Sequence, residues 1–176
     1  MSFTGNSGAT VAFRKALHLS LHDFRETDAN GAVANIAGNG GILASDTTPI
    51  MRNTSGKISQ EISWAASNAD PILLQRALPE EFNSAENVVI EAIVNSGTTD
   101  AASFTVGTSW DGEATVSTTL TDGAKSATFH KITATIPASS LPANPSSVSV
   151  MLTPAAHTTN GIQLQSFRML FIPKVA

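Results

Sequence analysis

Three short polar turns punctuate the stretch from Asn87 to Ile136, and alternating apolar segments flank each of them. The turns are Asn95-Ser-Gly-Thr-Thr-Asp100, Asp111-Gly112 and Asp122-Gly123. Asp-Gly between alternating segments is the strongest short-range hairpin signal a sequence carries. Four extended segments follow from it. In the first, Val88, Ile90, Ala92 and Val94 share a face, and Glu91 interrupts the opposite one. In the second, Ala102, Phe104, Val106 and Trp110 fall together. Val116 and Leu120 pair in the third, and His130, Ile132, Ala134 and Ile136 in the fourth. The many Thr and Val residues suit a pleated, half-exposed surface.

Further strands are expected on both sides. Leu17, Leu19 and Leu21 alternate with His18, Ser20 and His22, which reads as a half-buried strand over 16–24. Ile58, Ile62 and Trp64 share a face in 58–66, and 72–78 fits a strand or one helical turn. A loop with Pro137, Pro142 and Pro145 leads to Val148, Val150 and Leu152, as a Greek-key return requires. The last segment, 161–172, alternates at first and then carries apolar residues on both faces. Phe167, Met169 and Phe171 point one way, Leu170 and Ile172 the other. A second cover is expected there, from the N-terminal arm or from another subunit. The fold class expected is all-β: an antiparallel β-sandwich of jelly-roll type with an extended N-terminal arm. Residues 1–57 read as an arm with short strands and Gly-rich connectors, and 58–176 as the sandwich.

Composition narrows the function. The 176 residues include no cysteine, so disulfides and thiolate metal sites are excluded. Charged residues are 14% of the chain and the net charge is −4. Nucleic-acid backbones and anionic membranes call for clustered Lys and Arg, which this balance argues against. No segment approaches the roughly 18 apolar residues that span a bilayer. Residues 1–8 have neither a basic nor an apolar signal-peptide region, so synthesis and folding in a cytoplasm are expected.

No catalytic constellation stands out. His18 and His22 have helical metal-ligand spacing, but Leu19 stands where a zinc-protease motif needs Glu. Solvated histidines are the better reading. Asp100, Asp111 and Asp122 recur every eleven residues. Asp100 and Asp122 could meet at one end of the sheet to bind Ca²⁺, but Asp as a turn residue is the better reading. Glu80, Glu81 and Glu86 read as a solvated acidic loop. Gly38-Asn-Gly-Gly41 lacks the lysine and helix of a phosphate loop. Trp64 and Trp110 are the two tryptophans. Trp110, beside the Asp111-Gly112 turn, could serve as a stacking platform for a sugar, but a core or rim role is the better reading for both. The chain is expected to be no enzyme and to need no cofactor and no metal.

Several motifs, taken in order, resemble the jelly-roll decoration (cement) proteins of tailed-bacteriophage heads. They are Asp23-Phe-Arg-Glu-Thr-Asp-Ala-Asn-Gly31, Gly40-Gly-Ile-Leu-Ala-Ser-Asp-Thr-Thr-Pro49 and Ile62-Ser-Trp-Ala-Ala-Ser-Asn-Ala-Asp-Pro71. Leu78-Pro79, Ser103-Phe-Thr-Val106, Ile136-Pro-Ala-Ser-Ser-Leu-Pro142 and the final apolar strand complete the series over about residues 20–172. The resemblance implies a virion structural protein made in the host cytoplasm. It would be a homotrimer on the head surface, bound to the major capsid protein and bridging capsomers after expansion, with no nucleic-acid or membrane partner. Expected contacts are Phe167, Met169 and Phe171 between subunits, and Phe3, Phe13, Arg14 and Lys15 on the shell. The alternative is a carbohydrate-binding or receptor-binding β-sandwich module, of virion-fibre or lectin-like type.

Overall fold

The structure is a computed structural model that describes residues 13–28, 41–43, 49–54, 56 and 58–174. Among these, eleven strands run in chain order: β1 (Lys15–His18), β2 (Arg25–Glu26), β3 (Ile50–Asn53), β4 (Gln60–Trp64), β5 (Ile72–Ala77), β6 (Val88–Asn95), β7 (Phe104–Trp110), β8 (Val116–Leu120), β9 (His130–Ile136), β10 (Ser147–Pro154) and β11 (Ile162–Phe171). They form two antiparallel sheets. Sheet A has the order β3-β4-β11-β6-β9, with β1 also on β11, and sheet B has the order β2-β5-β10-β7-β8. This is the jelly-roll sandwich expected. Among the described residues no helix is long and apolar enough to cross a membrane.

Of the three anticipated hairpins, one forms. Asp111-Gly112 joins β7 to β8, which pair with each other. Asp111 has φ 50° and Gly112 φ 81°. Two successive positive φ values mark the primed turn whose twist matches a hairpin. The other two turns carry the chain between sheets, from β6 in A to β7 in B and from β8 in B to β9 in A. The alternating pattern reports a half-buried strand and says nothing of which strand lies beside it.

Alternation places Val88, Ile90, Ala92 and Val94 inside, all fully buried, with Phe104, Val106 and Trp110 facing them from sheet B. Phe82 lies between Trp110 and Phe171, with ring centroids 5.5 and 5.4 Å away. At the other end Trp64 meets Phe104 edge-on at 5.4 Å. Its indole N–H donates to the Asp70 carbonyl at 2.9 Å.

The last strand changes phase part-way along. The β11–β6 register shifts between Leu164 and Ser166, so Gln165 is an extra residue. A bulge flips every later side chain to the opposite face. Ile162 and Leu164 before it, and Phe167, Met169 and Phe171 after it, therefore all enter the same core. Leu170 and Ile172 stay on the opposite face, where they are half-buried.

Other expectations are corrected in detail. The strand expected over 16–24 stops at His18. Ser20, whose Oγ accepts from the His22 amide, then caps a 3₁₀ turn over Leu21–Asp23. Ile58, expected on the face of Ile62 and Trp64, is fully exposed before β4 begins. Within the region grouped as an arm, β1 pairs with β11, β2 with β5 and β3 with β4. The sandwich thus takes strands from both sides of the expected boundary at residue 57.

Candidate functional site

Among the described residues, the outward face of sheet A carries two buried carboxylates, Glu91 and Glu61, each paired with at least one cation. On β6, Val89, Glu91, Ile93 and Asn95 alternate outward. The ladder sets Leu170, Arg168, Ser166 and Gln163 of β11 opposite them in that order. β9 adds Thr135, Thr133 and Lys131 on the far side of β6, beside Val89, Glu91 and Ile93. β1 adds Ala16 and His18, in register with Leu170 and Arg168.

Glu91 is the centre of this face. Arg168 donates to its Oε1 through Nε at 2.8 Å and also through Nη2. Lys131 Nζ lies 3.5 Å from Oε2. The carboxylate is only 7% exposed in its side chain, while Arg168 and Lys131 are 37% and 61% exposed. The two cations shield it from solvent, and charge-assisted bonds offset its loss of hydration. A second buried acid, Glu61 on β4, is held the same way. Arg52 Nε donates to its Oε1 and Thr54 Oγ1 to its Oε2, each at 2.8 Å. The outward residues of β5, β7, β8 and β10 are Ser, Thr, Gln, Gly, Ala, Leu and Met, with no charge among them.

The three turn aspartates sit at the ends expected but make no cation cage. Asp100 accepts from the amides of Thr159 and Asn160 at 2.6 and 2.7 Å. The Asn160 bond, then the Thr159 bond, lowers its pKa. Asp111 accepts from the hydroxyls and amides of Ser146 and Ser147, the Ser146 hydroxyl leading, which also lowers its pKa. Asp122 accepts from the amides of Ala102 and Ala124 and from His130. Each carboxylate is consumed in fastening a loop. No group of three or more metal-ligating side chains gathers among the described residues.

The remaining candidates are placed as follows. Trp110 is 1% exposed and Trp64 fully buried, so neither is a sugar platform. Phe13 is exposed and Phe129 half-buried, and the other described phenylalanines are buried. Phe167, Met169 and Phe171 are at most 2% exposed within the chain itself, so these side chains offer a second subunit nothing. Arg14 Nη1 donates to the Asn87 carbonyl at 3.0 Å, and Lys15 pairs with Glu81 at 3.1 Å. Both therefore dock on their own sandwich. Phe3 lies outside the described residues, as do residues 38–40 of the glycine-rich run. His18 is solvent-exposed; His22 Nε2 meets Gln60 Oε1 at 2.6 Å on the rim of a cavity of about 280 Å³. Glu80 and Glu86 are exposed and unclustered with any buried acid.

Glu91 and Arg168 went unassigned in the sequence, yet a signal was there. Each is the sole ionic residue of a long apolar strand, VVIEAIVN and IQLQSFRMLF. Opposite charges isolated in two such strands gain by pairing across a ladder.

No protein-family model matches the chain, and no curated protein sequence does. Solved structures do resemble it. One is a xylan-binding module, CBM15, at 12% identity and TM-score 0.58, covering 93% of this chain and 100% of that one. Another is the Clostridium thermocellum xylanase 10B structure holding CBM22-1 and GH10 modules with xylohexaose, at 9% identity and TM-score 0.55. A third is a Cellvibrio japonicus xylanase 10C variant with xylopentaose, at 13% identity and TM-score 0.52. This chain covers 94% and 88% of itself in these two matches, but only 29% and 28% of the xylanase chains. At such identities the likeness establishes the jelly-roll β-sandwich and nothing finer.

Proposed function

We propose that this chain is a non-catalytic binding module that holds a polysaccharide along the outward face of sheet A. The supporting observation is the end-to-end likeness to a xylan-binding module, over 93% of one chain and all of the other. The face has donors and acceptors that sugar hydroxyls need: Gln163, Ser166, Thr133, Lys131 and Arg168, all partly or fully exposed. With both tryptophans internal, hydrogen bonds carry recognition in place of face-on stacking. Affinity electrophoresis in gels containing xylan, cellulose derivatives or β-glucan tests this. Retardation by at least one polymer is expected. Migration unchanged in all of them removes the reading.

A second reading, the virion decoration protein, is favoured by a different observation. Among the described residues the one largely exposed Phe or Trp ring, Phe13, belongs to the arm expected on the shell, while both tryptophans are internal. The ordered motifs over residues 20–172 point the same way. In that case the partners are further copies of the chain and a major capsid protein, on a phage head. Co-sedimentation with expanded empty heads, and a mass of three times 18.2 kDa by light scattering, are the expected results. A solitary chain that ignores heads rejects it.

A further inference from the structure

We propose that the polymer held on sheet A is acidic, a polysaccharide whose uronic-acid carboxylates are taken by Arg168, Lys131 and Arg14. This deepens the polysaccharide reading and rests on it. The face holds more positive charge than it neutralises. Arg168 and Lys131 share the single carboxylate of Glu91. Among the described residues, Arg168 Nη1 donates to no protein group, and Lys131 is 61% exposed, with N–H donors left over. Arg14 precedes β1 with the phase of Ala16 and His18, and its one hydrogen bond goes to a neutral carbonyl. His18, in register with Arg168, extends the same row.

Charge complementarity decides the sign of the ligand. The chain as a whole is at −4, yet this face has a surplus of cations, and the central strands of sheet B carry no outward charge. Arg14 and His18 stand four residues apart on one strand direction, about 13 Å at roughly 3.3 Å per residue. Cations spaced along a strand suit a polymer with repeated charges better than a single small anion. Glu91 itself shows how a carboxylate is received here, by an arginine fork on one oxygen and a lysine on the other.

The test is affinity electrophoresis of the full chain in three gels: unsubstituted β-1,4-xylan, glucuronic-acid-substituted xylan, and the same substituted polymer after carboxyl reduction. The expected result is several-fold stronger retardation by the acidic polymer, weakened by 0.5 M NaCl. Lys131→Gln and Arg14→Gln should each bring it toward the neutral level, with melting temperatures confirming that both variants fold. Equal retardation by all three polymers overturns the inference and leaves the polysaccharide reading standing. Acid-dependent retardation that survives both substitutions also overturns it. No retardation by any polymer removes both.

Discussion

His130 Nε2 lies 2.8 Å from Oδ1 of Asp122, and its other ring nitrogen, Nδ1, faces the Thr128 carbonyl at 3.0 Å. A ring with acceptors at both nitrogens is satisfied only as the imidazolium. Burial opposes that charge, but the Thr128 and Asp122 bonds outweigh it and raise the His130 pKa above its usual value. Burial likewise pushes Asp122 upward, and is outweighed by the amides of Ala102 and Ala124 and by His130, so its pKa is lowered. The histidine therefore stabilises the fold fully below about pH 6.5, and loses that contribution as pH rises through its raised value. The aspartate stabilises above about pH 4, and loses its contribution as pH falls through its lowered value. Thermal melts should show a plateau between these limits and a decline on each side. In His130→Gln the alkaline decline should disappear; if it persists unchanged, another group is responsible. Asp122→Ala, which strands two amides and the ring, should cost about 2–4 kcal/mol.

Phe82 is held between Trp110 and Phe171 in a loop that follows β5, and it is 2% exposed. Truncating a ring packed on two others removes its burial and leaves a cavity. Phe82→Ala should therefore destabilise by about 3–5 kcal/mol in urea titrations. Trp110 emission should shift to the red in the same variant. In the parent, both tryptophans should emit at short wavelength and resist iodide quenching. A readily quenched parent would contradict their burial.

Two Asp-Gly dipeptides that look alike in the sequence should respond oppositely to one substitution. Gly112 has φ 81°, and Gly123 has no left-handed φ; added methyls would meet nothing within 4 Å at either. At Gly112 the penalty is one of backbone conformation, so Gly112→Ala should cost about 1–2 kcal/mol. At Gly123 the unfolded chain loses freedom without native strain, so Gly123→Ala should be neutral or stabilise by up to about 1 kcal/mol. Equal losses at both sites would mean that the second turn is also a primed hairpin.

That contrast shows where the sequence is legible. Strand identity and the buried face can be read directly, because alternation is a property of each strand alone. Val88, Ile90, Ala92 and Val94 are inside as their spacing requires. Strand neighbours are not legible, because a turn that crosses between sheets uses the same residues as one that closes a hairpin. The bulge at Gln165 was hidden for a related reason: one inserted residue gives Ile162 and Leu164 the opposite phase from Phe167, Met169 and Phe171, although all five enter one core. Phe167, Met169 and Phe171 read as a subunit interface because Leu170 and Ile172 are apolar on the other face, and alternation alone does not say which of the two faces the chain's own core fills. The core role preferred for Trp110 holds, but its cover was not legible, because Phe82 comes from a loop 28 positions away that no local pattern links to it. The ionic centre was half legible, since Glu91 stood out as an interruption and its partner lies 77 residues on.

The Glu91 pairs should divide unequally by strength. Arg168 reaches one oxygen with two donors and is the less exposed cation, whereas Lys131 sits at 3.5 Å on a largely exposed stem. Glu91→Gln should lower stability by about 1–3 kcal/mol, because two cations then face each other over a neutral amide. In double-mutant cycles with Arg168→Gln, a coupling of about 1–2 kcal/mol is expected, since the contact is forked and shielded. The cycle with Lys131→Gln should give less than about 1 kcal/mol, as exposed pairs do. Raising NaCl to 0.5 M should remove most of the lysine coupling and little of the arginine coupling, because screening acts chiefly through solvent. Equal couplings with equal salt dependence would show that Arg168 is as hydrated as Lys131, and that the carboxylate is not enclosed as its burial indicates.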